Sequence, residues 1–156
     1  MPKITSFLWF DTQAEEAARF YASVFKNSRI VRMSRYGDAG PGPKGSVMTV
    51  DFELDGQPFT ALNAGPQFKF TEAISFTVHC KTQDEVDEYW TKLSAGGAES
   101  DCGWLKDKYG LSWQITPTIL IELLNDPDPQ KSKRVMEAMM TMKKIDIAAL
   151  EKAAGH

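Results

Sequence analysis

Two cysteines and two histidines are all that 156 residues contain. Cys80 and Cys102 give no disulfide framework, and His79 and the terminal His156 give no cluster of imidazoles for a metal. No apolar run approaches the roughly 20 residues that a membrane span needs. The net charge of −3 comes with no basic cluster, which argues against nucleic acid and anionic membrane as partners. The first residues, MPKITSF, lack the charged-then-apolar build of a signal peptide. The expectation is a cytoplasmic protein with reduced thiols.

What the chain does have is a 42% hydrophobic content, enough for one domain, residues 1–156, with a real core. Residues 4–10 form a strand-like run. They are followed by TQAEEAARFYASVF, whose apolar residues fall at helical spacing behind Asp11 or Thr12 as N-cap. Ile30–Tyr36 is a second strand, and GDAGPGPKG (37–45) is a loop too broken for helix. SVMTVDFEL and PFTALNA flank Asp55-Gly56, a strong hairpin signal. AISFTVHC (73–80) then restarts the pattern, with Thr82 capping a helix that Gly96-Gly97 stops.

CGWLKDKYGLSWQITP (102–117) reads as a hairpin: a strand from Cys102 to Lys106, a turn over 107–110, and an alternating strand ending before Pro117. Ser112, Gln114 and Thr116 share one face of that strand, and Leu111, Trp113 and Ile115 the other. Of the hairpin tryptophans, Trp104 and Trp113, one is expected to face a cleft and the other the core. Residues 118–124, 128–144 and 146–154 read as helices. Val135, Met136, Met139, Met140 and Met142 make a methionine-rich face for packing on the body of the domain or on a second copy.

Sliding the chain by 69 residues exposes a repeat. Ser6-Phe7 falls on Ser75-Phe76, Glu16 on Glu85, Phe20-Tyr21 on Tyr89-Trp90, and Val24 on Leu93. Strand followed by helix in one phase, with an aromatic pair at the same turn, implies duplication.

Two βαβββ modules in tandem resemble the vicinal oxygen chelate superfamily, the fold of glyoxalase I and the extradiol dioxygenases. The likeness sharpens in LWFDTQAEEAARFYASVF (8–25), FELDGQPFTALNAGP (52–66), FKFTEAISF (68–76), CGWLKDKYGLSWQITP and RVMEAMMTMKKIDIAAL (134–150). These resemble the glyoxalase-like family labelled "3-demethylubiquinone-9 3-methyltransferase", over about residues 3 to 151. The resemblance implies an α+β fold: module one at about 3–66, module two at about 72–117, a curved mixed sheet around a cleft, and C-terminal helices at about 118–154. Metal-using relatives hold an ion with residues on the first and last strand of each module. By strand position these fall on Ser6, near Asn63, on Ser75 and on Gln114.

Two serines, an asparagine and a glutamine offer neither charge nor imidazole, so a transition metal and any other cofactor are expected to be absent. The methyltransferase label lacks a Gly-rich strand-to-helix turn: GDAGPGPKGS holds two prolines and leads into a strand. Cys102 has no evident His partner and reads as a structural thiol. Asp107 reads as a turn residue, Trp90 as a core anchor, and Asp84, Glu85, Asp87 and Glu88 as a solvated helix face.

The leading expectation is a metal-free cleft for a small, partly aromatic or apolar organic molecule. Its expected lining is Ser6, Phe10, Phe59, Asn63, Ser75, Thr77, Trp104 and Gln114, because pockets pair apolar walls with a few placed polar groups. No catalytic residue is assigned, and whether the protein is an enzyme stays open. The alternatives are a metal-dependent lyase, isomerase or dioxygenase, the methyltransferase of the label, or an interaction protein with a vestigial cleft. A homodimer is expected from the methionine-rich helix and the open sheet edges.

Overall fold

The computed structural model describes residues 2–156 and divides into two compact units, Met1–Lys69 and Phe70–His156. The fold is α+β, and each unit is a βαβββ module with its own four-stranded mixed sheet.

The first unit runs β1 (Ser6–Phe10), α1 (Ala14–Val24), β2 (Arg29–Arg35), β3 (Val47–Leu54) and β4 (Gln57–Asn63). The sheet order is β1-β4-β3-β2, parallel at β1–β4 and antiparallel elsewhere. Asp55 and Gly56 both take positive φ (48° and 79°), which matches a two-residue turn to the twist of the strands it joins. Buried Ala14, Ala17 and Ala18 let α1 lie close on the sheet. There the Tyr21 ring stacks on Phe52, and Phe52 stacks on Phe59.

The start of α1 departs from expectation. Neither Asp11 nor Thr12 caps it. Gln13 holds the N-cap position without a side-chain cap bond, and Asn63 Oδ1 accepts the Ala14 N–H at 2.8 Å from the end of β4. A residue distant in sequence supplies the acceptor that a local cap would have given.

The second unit runs β5 (Ser75–Cys80), α2 (Gln83–Ser94), β6 (Ala98–Glu99), β7 (Trp104–Lys106), β8 (Ser112–Pro117), α3 (Thr118–Leu124), α4 (Pro129–Met139) and α5 (Ile147–Ala153). Its order, β5-β8-β7-β6, repeats the first sheet. Thr82 caps α2 as expected, its side chain accepting the Glu85 N–H, while Glu85 reaches back to the Lys81 N–H. Val86, Trp90 and Leu93 bury the inner face of α2, and Trp113 lies in the core at 3% exposure.

Cys102 does not begin a strand. It and Gly103 take positive φ (60° and 84°) in a turn before β7. Their N–H groups are satisfied from the chain's end: Cys102 donates to Met142 O at 2.8 Å and Gly103 to Lys143 O at 2.7 Å. This is why α4 stops at Met139 rather than 144, since the chain beyond it turns out of the helix to present those carbonyls. Ile145, fully buried, packs beside Gly103. The Gln83 amide clasps the same segment, donating to Ile145 O and accepting from Ile147 N. The expected methionine face therefore splits. Met139 and Met142 pack on a cluster of Leu120, Leu123, Val135, Ile145 and Leu150, whereas Met136 and Met140 are exposed.

The repeat also needs one correction. The first strands end at Phe10 and Cys80, 70 positions apart, while the helices begin at Ala14 and Gln83, 69 apart. The second module has one residue fewer between strand and helix. Phe7 therefore matches Thr77, not Phe76, and a gapless slide turns each strand to the wrong face.

Candidate functional site

Alternation along β1 and β4 decides where the first-module residues lie. Leu8 and Phe10 are buried, Phe7 is exposed and Trp9 is half-buried. Ser6 pairs with Phe59 and Phe10 with Asn63, so these four sit on the face that packs against α1. Phe10 and Phe59 are core residues at 4% and 5% exposure, not walls of an open surface. Asn63 is fully engaged: Oδ1 on Ala14 N, Nδ2 on Val47 O at 3.2 Å, and its carbonyl on the Tyr36 hydroxyl.

Asn63 also borders a cavity of about 390 Å³ beneath the Gly/Pro loop, together with Asp11, Glu15 and Tyr36. That loop lies flat on the Tyr36 ring, and Gly42 is required there because a Cβ would overlap the ring. The cavity's inner polar groups, the Tyr36 hydroxyl, the Asn63 amide and the Ser46 hydroxyl, all hold the loop and helix together.

The outer face of the first sheet, away from α1, carries residues that the sequence reading passed over. Asp51 accepts from Thr60 Oγ1 at 2.8 Å and from Arg32 at 3.1 and 2.7 Å. Beside them lie Phe7 and Trp9, the latter edge-on to Phe68. The signal for them was the alternation itself, read in the other phase.

In the second module the expected residues do come together. Phe76 packs its ring near Trp113, and Cys80 is fully buried, so Ser75, Thr77 and His79 point to the opposite, outer face. The register places Thr77, Gln114 and Trp104 side by side across β5, β8 and β7. Ser75, Ser112 and Lys106 form the adjoining row, and His79 and Thr116 extend the face. Gln114 Nε2 donates to Ser75 Oγ at 2.9 Å, which ties the amide to the neighbouring row. Trp104 is half-buried beside Gln114, while Trp113 turns to the core. By strand position, the first-module counterpart of Gln114 is Thr60 and not Asn63.

Of the charged groups nearby, one is committed to structure. Asp107, 2% exposed, accepts from Tyr109 N, Leu111 N and Trp113 Nε1 at 2.8, 3.1 and 2.8 Å. It closes the hairpin turn and anchors the core tryptophan. Lys106 pairs with Glu72, and the hydrogen bond from Lys106 holds the Glu72 carboxyl below the usual carboxylate range. Burial pushes the Cys80 thiol up to about 12, so it is no nucleophile at neutral pH.

A metal fits poorly. Among the described residues no three His, Cys, Asp or Glu side chains converge. Ser6 and Asn63 face α1, and Ser75 and Gln114 offer only neutral groups, joined by one hydrogen bond. Such a set binds transition metals weakly.

The family model described as 3-demethylubiquinone-9 3-methyltransferase matches residues 2–116. A PhnB protein from Bacillus cereus that carries the same label is 43% identical, with a TM-score of 0.69, covering 75% of this chain and 100% of that one. Protein PA1353 from Pseudomonas aeruginosa is 18% identical (TM-score 0.63, 75% and 98% covered). The fosfomycin resistance protein FosX from Mesorhizobium loti is 16% identical (TM-score 0.55, 81% and 100% covered). The last two share the glyoxalase-like fold and bear on nothing further. No curated protein matches the chain.

Proposed function

The chain belongs to the 3-demethylubiquinone-9 3-methyltransferase family of glyoxalase-like proteins, and from that premise we propose that it binds a small organic molecule, without a metal, on the outer face of its second sheet. One observation carries the reading: Thr77, Gln114 and Trp104 stand in a single cross-strand row, with the amide held in place by Ser75. A flat indole beside an oriented amide combines an apolar wall with a directional polar group. Phe10 and Phe59 drop out of the binding set because they serve the core, Asn63 because it serves the α1 start, and Ser6 because it shares their face. The label's methyl transfer finds no support in the architecture. Each sheet is mixed and four-stranded, without the doubly wound parallel sheet and Gly-rich turn of a nucleotide-type cofactor site.

Two coarser features complete the proposal. Among the described residues no helix is long and apolar enough to cross a membrane, and both cysteines are free thiols, which supports a reducing, cytoplasmic setting. Exposed Ile121, Met136 and Met140 on the C-terminal helices support pairing of two copies. The test of the main reading is a ligand screen by thermal shift with elemental analysis of the same sample. Stabilisation by aromatic organic molecules, with under 0.1 metal per chain (about a tenth of a full site), is the expected result. About one tightly held transition metal per chain would overturn the metal-free reading.

A further inference from the structure

The row next to Gln114 holds an unmatched group. Ser112 is 0% exposed, and its Oγ has no hydrogen-bond partner. The register sets it between Ser75 on one side and Lys106 on the other. Among the described residues its Oγ is the one buried side-chain polar atom left without a partner. A strand serving only to fill space would carry alanine there, because an unpaired buried hydroxyl weakens the fold.

Lys106 lies on β7 and Glu72 just ahead of β5, so their ion pair reaches across β8, the strand that Ser112 begins. Both partners are about half exposed, at 42% and 59%, so exchanging one carboxylate for another disrupts no packed core.

We propose that this row is the acid-binding end of the outer face: a carboxylate of the bound molecule replaces Glu72 on Lys106 and accepts a hydrogen bond from Ser112. The proposal rests on the small-molecule reading given above and assigns the ligand's chemical class. Donors converge there: the Lys106 ammonium, the Ser112 hydroxyl, and the Ser75 hydroxyl, whose oxygen accepts from Gln114 and whose proton remains to donate. Glu72 is the row's own anion and shows that a carboxylate fits on Lys106. One row along the strands, about 7 Å away, Trp104 offers its indole to a ring. The ligand is therefore an aryl or heteroaryl carboxylic acid with a short spacer between ring and acid.

The experiment titrates the full chain with 3-phenylpropanoate, 3-phenylpropanamide and 3-phenylpropylamine, following backbone and tryptophan NMR signals. The acid should bind at least about tenfold more tightly than the amide, as charge-assisted hydrogen bonds are the strong ones, and the amine should bind weakest. Lys106→Gln should remove the acid's advantage over the amide, and Glu72→Gln should strengthen acid binding. Ser112→Ala should raise the melting temperature while weakening acid binding about fivefold. Equal affinity for acid and amide, or weaker acid binding in Glu72→Gln, overturns the carboxylate assignment and leaves the small-molecule reading standing. Ser112→Ala that stabilises without changing acid affinity shows the hydroxyl to be a packing defect and also overturns it. If none of the three ligands moves the Thr77, Gln114 or Trp104 signals, both readings fall.

Discussion

Asn63, the last residue of β4, closes the first turn of α1 by accepting the Ala14 N–H at 2.8 Å across 49 positions of sequence. Its other amide atom donates to Val47 O, so one side chain ties strand end, helix start and neighbouring strand. Asn63→Ala should cost about 2 kcal/mol, a lost cap plus a lost side-chain hydrogen bond. Chemical denaturation reads this directly. A loss below about 0.5 kcal/mol would mean that water caps the helix equally well.

Gln114→Leu should abolish small-molecule binding on the second sheet and leave the fold in place. Gln114 is half-buried and its one side-chain bond is to Ser75, so the expected change in stability is within about 1 kcal/mol. Circular dichroism and a ligand titration on the same sample separate the effects. Unfolding by several kcal/mol would instead assign Gln114 to a structural network.

Asp107→Ala should be the most damaging single change in the hairpin. Three N–H donors converge on this buried carboxylate, one of them the core Trp113 indole. Losing them should cost about 3 kcal/mol or more, since hydrogen bonds to a charged group are worth more than neutral ones. Near-UV circular dichroism of the tryptophans should flatten in parallel. A melting temperature unchanged from the parent chain would refute the anchoring role.

Cys80 and Cys102 should differ in reactivity. Cys80 is fully buried and Cys102 partly accessible. Iodoacetamide at pH 8 should label Cys102 and spare Cys80 until the protein unfolds, as peptide mass spectrometry would record. The linkage has a definite sign. Folding raises the Cys80 thiol from 9.0 to about 12. Its contribution is thus fully present below pH 9 and lost as pH rises towards 12, with a slope of at most about 1.4 kcal/mol per pH unit.

The chain should be a homodimer at micromolar concentration by light scattering, and Met140→Lys should shift it towards monomer. Met140, the C-cap of α4, is 66% exposed, and Met136 on α4 is exposed as well. A mass near 17.4 kDa for the unsubstituted chain would count against pairing. A dimer indifferent to Met140→Lys would move the interface away from α4.

The repeat, the βαβββ order of the first module and the Asp55-Gly56 turn were legible because each is written in local pattern: period-two strands, helical spacing, and a turn dipeptide; the two-residue β6 carries no such pattern. The face of each strand in the first module was not. Phase along a strand depends on a single residue, and the second module is one residue shorter between strand and helix. The lining drew Ser6 and Asn63 from strand position and Phe10 and Phe59 as apolar walls, whereas the register sets all four on the face that packs against α1. In the second module Gln114, flanked by Trp113 and Ile115, fixed its own phase, and Ser75, Thr77 and Trp104 followed. Gly42 against Tyr36 and Asn63 at Ala14 were beyond reach because both are contacts between segments with no shared pattern.

The family match ends at residue 116, yet Cys102 and Gly103 within it give their amide protons to carbonyls at positions 142 and 143. Within this chain the matched stretch is therefore not self-contained: the turn before β7 completes its backbone pairing with carbonyls that lie beyond residue 116. The segment between α4 and α5 thus braces, through the turn at Cys102 and Gly103, the strand pair that carries Trp104 and Gln114.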